Sequence, residues 1–207
     1  MAEHVFETAS SETLYTGKIF ALRSDRVRMP GGTIAVREVV EHYGAVAIVA
    51  LDESNNIPMV YQYRHTFRRR LWELPAGLLD VAGEPPHLTA ARELKEEVGL
   101  EARIWRVLVD LNTAPGFSDE SVRVYLATEL SEVDRPEAHN EEADMTMRWI
   151  PIVEAVRLVL GGEVLNSIAV AGILAAYTVI SGFAQPRPVD SPWLDRPTAF
   201  AARKAAQ

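Results

Sequence analysis
Between Arg92 and Gly99 the chain reads Arg-Glu-Leu-Lys-Glu-Glu-Val-Gly, which puts Glu93, Glu96 and Glu97 within five consecutive positions. On a helix, Glu93 and Glu97 stack one turn apart, while Glu96 lies nearer the other flank. Two carboxylates on one face, turned away from the apolar stripe, form an oxygen-only site suited to a hard divalent cation. Magnesium fits such a site because it takes a few carboxylates, retains waters and shares its other positions with substrate phosphates. An isolated Glu-x-x-x-Glu is ordinarily a solvated face on which like charges cost roughly a few tenths of a kcal/mol. The pair therefore acquires meaning only from its surroundings.

Periodicity predicts the element that carries these carboxylates. Leu88, Ala91, Leu94 and Val98 recur at helical spacing with charges opposite, and Gly99 supplies a stop. Ahead of it, Lys18–Arg23 and Thr33–Val40 read as antiparallel strands around a Pro30-Gly31-Gly32 turn. Ala45–Leu51 and Ile57–Tyr63 read as a pair of strands joined by the polar turn at Ser54–Asn56. Beyond the helix, strands are expected at Ile104–Val109, Val122–Glu129 and Met147–Ile150, and helices at Ile152–Leu160 and Ser167–Ile180. The tail after Gln185 reads as irregular. The organisation this implies is an N-terminal β region over residues 1–43, an α/β domain over 44–185 and a C-terminal tail over 186–207. No repeat or heptad register is present.

Composition narrows the possible functions. The 207 residues are 48% hydrophobic and 24% charged, the profile of a folded chain with a sizeable core. A net charge of -8 argues against a nucleic-acid partner, since phosphate-backbone affinity needs clustered Lys and Arg. With no cysteine, a metal must sit on oxygen or imidazole. Residues 1–10 lack a basic stretch followed by an apolar run, so no secretory signal is expected. The apolar stretch Ile168–Ile180 is too short to span a bilayer. A cytoplasmic location with no membrane partner is the expectation, and that stretch reads as a buried or subunit-interface helix.

The segment Gly77 to Leu100 resembles the Nudix box, whose usual form is Gly, five residues, Glu, seven residues, Arg-Glu-apolar-x-Glu-Glu-x-Gly-apolar. Glu84, Arg92, Glu93, Leu94, Glu96, Glu97, Gly99 and Leu100 stand in register, but six residues rather than five separate Gly77 from Glu84. A bulged loop is expected there, because the helix-borne residues keep their mutual spacing. The segment Thr113 to Glu120 places Pro115 sixteen positions after Gly99, which resembles the ADP-ribose pyrophosphatase subfamily. Gln62-Tyr63-Arg64 and Leu71 to Gly77 are similar to the way that subfamily leads into its box. The resemblance runs from about Thr13 to Ile180 and is especially close to the subfamily's mycobacterial group. It implies an α/β Nudix fold, a mixed β-sheet sandwiched between α-helices, with the N-terminal antiparallel β region contributing to a homodimer. The implied reaction is magnesium-dependent hydrolysis of ADP-ribose to AMP and ribose 5-phosphate, with manganese as a substitute ion.

Carried over by position, the resemblance makes Glu93, Glu96, Glu97 and the Ala76 carbonyl metal ligands. Arg92 and Glu84 become a structural ion pair, with Glu84 as a peripheral ligand the alternative. Glu142, with Glu141 as the alternate, becomes the base that accepts the water's proton. Arg37 is expected to reach the partner subunit's site, and Pro115 and Glu120 to lie near substrate. Physical argument adds Trp72 and Glu73 as stacking surface and carboxylate acceptor for the nucleoside, against a reading of Trp72 as a core aromatic and Glu73 as solvated. Arg64 suits a forked contact to phosphate, whereas Arg68, Arg69 and Arg70 read as a solvated turn and His139 as a plain loop residue. The rival readings are a Nudix pyrophosphatase for nucleotide sugars, NADH or flavin dinucleotides, and a non-catalytic ADP-ribose sensor. The matching helix carboxylates and the absence of a basic helix-turn-helix disfavour the sensor.

Overall fold
The computed structural model describes residues 4–136 and 144–206. The chain divides into two compact units, the first made of Met1–Gly44, Asn112–Ser121 and Asp195–Gln207 and the second of Ala45–Leu111 and Val122–Leu194.

In the first unit, β1 (Thr8–Thr16), β2 (Phe20–Arg28) and β3 (Ile34–His42) form an antiparallel sheet in that order. The expected turn is present: Gly31 and Gly32 take φ of 84° and 85°, a region glycine enters without steric cost. β1 is a strand the sequence reading does not include, because TASSETLYT carries little alternation and almost all of it is exposed. Its strand character comes from the ladder it shares with β2. The supposedly irregular tail contains α4 (Ala199–Ala205). Phe200 is fully buried edge-on against Tyr43, with ring centroids 4.6 Å apart. Arg203 forks onto the buried Glu41 at 2.7 and 2.9 Å, and Arg23 reaches the same carboxylate at 2.7 Å.

The second unit holds β4 (Ala45–Ala50), β5 (Asn56–Arg64), β6 (Arg69–Glu73), β7 (Ala76–Leu78), α1 (Pro86–Val98), β8 (Leu100–Asn112, whose last residue falls in the first unit) and β9 (Ser121–Glu132, likewise at its first residue). It continues with β10 (Thr146–Pro151), α2 (Ile152–Leu160), α3 (Ser167–Ile180) and the short β11 (Arg187–Pro188). One sheet runs β11-β8-β9-β4-β7 and the other β10-β5-β6. β4 and β5 therefore do not pair, contrary to the sequence reading. The Asp52 carboxylate accepts from Ser54 N and Asn56 N at 2.8 and 2.7 Å, and Asn55 turns through φ 60°, so the chain leaves one sheet and joins the other. β4 is buried at every position and pairs in parallel with β9, as expected of a strand covered on both faces.

The strand's period of two divides the core. Ala45, Ala47 and Val49 join Ile152, Ala155, Ile173 and Ala176 from α2 and α3 on one side. Val46, Ile48 and Ala50 join Ala90, Leu94 and Val98 of α1 on the other. The mixed sheet between helices is thus as expected.

Candidate active site
α1 begins at a Pro-Pro pair, with Pro86 in the first turn where a missing N–H costs nothing, and it ends at Gly99, whose φ of 68° is the left-handed cap. Its buried face is Thr89, Ala90, Leu94, Glu97 and Val98; Leu88, expected in the stripe, is 49% exposed. Glu97 is therefore not turned away from the apolar stripe but lies beside it, 6% exposed. Its Oε2 accepts from the Ala76 amide at 3.0 Å, tying helix to β7. Glu93 leans over the next residue: a Cβ on Gly77 would stand 2.1 Å from the Glu93 Cδ. Gly77 is needed here for close approach, and no positive φ is involved.

The extra residue between Gly77 and Glu84 is taken up by an exposed turn in which Glu84 N donates to Val81 O and Gly83 adopts φ 79°. Glu84 still reaches its partners, accepting from Arg92 at 3.2 Å and from Thr89 Oγ1 at 2.8 Å. Arg92 also donates to Glu93 Oε1 at 2.7 Å and Glu96 Oε2 at 3.0 Å. Burial works against its charge, but the Glu84 hydrogen bond and the fields of Glu93, Glu84 and Glu96 outweigh that and hold its pKa above the ordinary arginine value. Glu84 is held below the usual carboxylate range, first by the Arg92 hydrogen bond, against a smaller opposing effect of burial.

Around these groups lies a cleft of about 380 Å³, lined by Gln62, Arg64, Ala76, Gly77, Leu78, Asp80, Arg92, Glu93, Glu96 and Glu97. Four carboxylates and two guanidinium groups give this lining a formal charge of -2. Among the described residues no three acidic or imidazole groups are drawn together tightly enough to cage an ion. The carboxylates are instead spread along the cleft, with Glu93 and Glu96 on Arg92 and Glu97 on Ala76. This donor set still fits magnesium, which uses one or two carboxylates and fills its other positions with water and phosphate oxygen.

The other expected residues divide. Arg64 lines the cleft, and it forks onto Glu73 with Nε–Oε1 2.9 Å and Nη2–Oε2 2.6 Å. Glu73 is only 3% exposed, neither a solvated residue nor part of the lining. Trp72, its neighbour on β6, points to the opposite sheet face, as strand alternation requires. There it packs partly buried on the core beside Tyr61, ring centroids 4.7 Å apart, with Arg148 5.6 Å from its ring. Neither residue is part of the cleft lining. Arg69 and Arg70 are exposed but belong to β6, with Arg70 paired to Asp144; Arg68 alone sits in the turn, at φ 53°.

Pro115 and Glu120 lie in the first unit, in a separate cleft of about 410 Å³ shared with Arg23, Asp119 and the tail residues Asp195 to Ala199. Glu120 accepts from Thr113 Oγ1 and stands 3.5 Å from His42 Nδ1. Arg37 is exposed on β3 and donates to Val36 O. Glu142, Glu141 and His139 lie outside the described residues. Sequence reasoning gave no role to Gln62 or Asp80; the signal for Gln62 was its alternation with Arg64, two positions apart on one strand face.

The chain is similar to known proteins over most of its length. The NUDIX domain matches residues 41–166, and the nucleoside diphosphate sugar hydrolase N-terminal domain matches residues 6–40. The chain is 78% identical over 205 residues to an ADP-ribose pyrophosphatase of Mycobacterium tuberculosis, covering 99% of each. It is 37% identical to an ADP-ribose pyrophosphatase of Bacillus subtilis, covering 78% of this chain and 86% of that one. It is 34% identical to a methanol dehydrogenase activator of Bacillus methanolicus, covering 81% and 90%. A crystal structure of an ADP compounds hydrolase superposes with a TM-score of 0.75 at 19% identity, over 89% of this chain and 99% of that one, a likeness of fold. With the family pattern spanning more than half of the sequence and its helix carrying Glu93 and Glu97 against β7, the chain belongs to the Nudix family.

Proposed function
We propose that this Nudix enzyme hydrolyses the phosphoanhydride of ADP-ribose, water adding to one phosphorus while the bridging bond breaks to leave AMP and ribose 5-phosphate. The observation that carries the reading is the α1–β7 cleft, in which Glu93, Glu96 and Glu97 meet Arg64 and Gln62. The near-full-length identity to an ADP-ribose pyrophosphatase supports the choice of substrate.

Glu93, Glu96, Glu97 and the Ala76 carbonyl would hold the ion, magnesium with manganese as substitute. Bound there, a divalent cation neutralises charge on the diphosphate and acidifies water. Arg92 keeps Glu84, Glu93 and Glu96 in place, and Arg64 supplies a fixed positive charge. Glu142 takes the proton from the attacking water, with Glu141 the alternate. Glu142→Gln is then expected to slow kcat far more than it raises KM; an effect confined to KM, or a larger kcat loss in Glu141→Gln, would move the base elsewhere. The enzyme works as a homodimer in a cytoplasmic setting, Arg37 reaching the partner's site from its exposed place on β3. No helix of the described residues is long and apolar enough to cross a membrane.

A second reading, hydrolysis of other nucleoside diphosphate sugars, is favoured by the N-terminal match over residues 6–40. Incubation of the protein with magnesium in heavy-oxygen water, against ADP-ribose and a panel of nucleotide sugars and dinucleotides, separates the two. AMP and ribose 5-phosphate from ADP-ribose, with the highest kcat/KM of the panel, is the expected outcome. Preference for another sugar nucleotide would select the second reading.

A further inference from the structure
Glu73 is the most buried carboxylate bordering the site, yet it is not part of the cleft lining. A carboxylate removed from water needs a partner. Its partner, Arg64, is not the residue across the ladder. Glu73 stands opposite Val60, whereas Arg64 stands opposite Arg69, four positions further along β5, roughly 13 Å of strand. The Arg64 side chain therefore runs back along the face that Gln62 and Leu71 occupy to reach Glu73. Both oxygens take part, one from Nε at 2.9 Å and one from Nη2 at 2.6 Å. A two-point fork fixes the plane of a guanidinium as well as its position. Held this way, the Arg64 side chain keeps 41% exposure and lines the cleft. The cleft's other guanidinium, Arg92, is engaged by Glu84, Glu93 and Glu96.

The geometry points to Glu73 as a positioning residue: buried on the same sheet face, beyond the cleft lining, it aims Arg64 at the non-bridging oxygens of a diphosphate in the cleft, and it does not itself touch the nucleoside. This rests on the phosphoanhydride reading above and replaces the role of substrate acceptor expected for Glu73 from its sequence position. Near the end of β5, a long cation without this anchor would spread over many rotamers, so the order Glu73 imposes is recovered as substrate affinity.

The test measures binding of inorganic pyrophosphate with magnesium by calorimetry, alongside kcat and KM for ADP-ribose, in Glu73→Gln, Arg64→Lys and the double variant. Glu73→Gln and Arg64→Lys are each expected to weaken pyrophosphate binding and raise KM about ten-fold with kcat changed less than about three-fold. The double variant should be no worse than either single, the mark of residues acting as one. Adenosine binding should not change. Unchanged pyrophosphate affinity in Glu73→Gln, additive losses in the double variant, or weaker adenosine binding would each overturn the assignment. Glu73→Asp keeps the buried charge with a shorter reach and gives the same readings if Glu73→Gln does not fold. Pyrophosphate binding is read without turnover, so a wild-type protein that ignores ADP-ribose would remove the proposed substrate and leave this test intact.

Discussion

Gly77 and Glu93 share so little space that one methyl group decides where the carboxylate goes. A Cβ at position 77 would sit 2.2 Å from Glu93 Oε1, the far end of a flexible side chain, so Gly77→Ala should displace Glu93 without unfolding the protein. The expected outcome is a loss of ADP-ribose turnover of about ten-fold or more, with thermal unfolding changed by less than about 1 kcal/mol. Equal turnover in the variant would mean that Glu93 works from another rotamer. Glu97 is a cleaner probe of the ion. In Glu97→Gln the amide oxygen can still accept from Ala76 N, preserving the tie to β7, while the negative charge is gone. Turnover should fall by roughly 100-fold or more, about 2.7 kcal/mol in the barrier, with melting nearly unchanged and manganese binding, read by electron paramagnetic resonance, weakened in parallel. Near-normal activity would remove Glu97 from the metal site.

Elements decide which neighbours in sequence become neighbours in space. α1 brings Glu93, Glu96 and Glu97 to one cleft because its pitch returns a residue every three or four positions, and the box spacing already encoded this. β6 does the reverse to Trp72 and Glu73, which adjoin in sequence and separate onto opposite faces of one sheet. Glu73 meets Arg64, while Trp72 packs on the core with Tyr61 and Arg148. Trp72→Ala should therefore cost about 2–3 kcal/mol in chemical denaturation, somewhat less than a fully buried tryptophan would. Intact stability with weakened ADP-ribose binding would instead put the ring in a substrate pocket. The helices α2 and α3 follow the boundaries their apolar patterns predict, Ile152–Leu160 and Ser167–Ile180. The β4–β5 pairing did not follow, since a short polar turn between two apolar strands reads as a hairpin whether or not the chain changes sheet there.

At the scale of the whole molecule, the first unit is assembled from three stretches far apart in the chain. Its buried charges show what joins the first and the last of them: Glu41 on β3 accepts from Arg23 on β2 and from Arg203 on α4. The Arg203 hydrogen bond holds the Glu41 carboxyl below its ordinary value of 4.5, outweighing an opposing effect of burial. Asp25 is lowered as well, its hydrogen bonds overcoming a larger single effect of burial, whereas burial raises Asp119 and makes it work in the opposite sense. A carboxylate whose folded value is lowered stabilises the fold fully above its unfolded value and loses that contribution as the pH drops through the folded one. Amide exchange on β3 is therefore expected to quicken as the pH falls below 4.5, after correction for intrinsic rates. Glu41→Gln should flatten this dependence and cost about 2–3 kcal/mol near neutrality. An unchanged acid limb would show that Arg203 and Glu41 do not hold the tail. The sequence by itself determined the box helix, its glycine stop, the places of most strands along the chain and the spacing of the carboxylates, because each rests on a local period or a fixed spacing. Only the tertiary structure decided that β4 and β5 part company, that the tail carries a helix anchored on Glu41, and that Glu73 faces Arg64 and turns from Trp72. Those outcomes depend on contacts between residues distant in the chain, which no local pattern records.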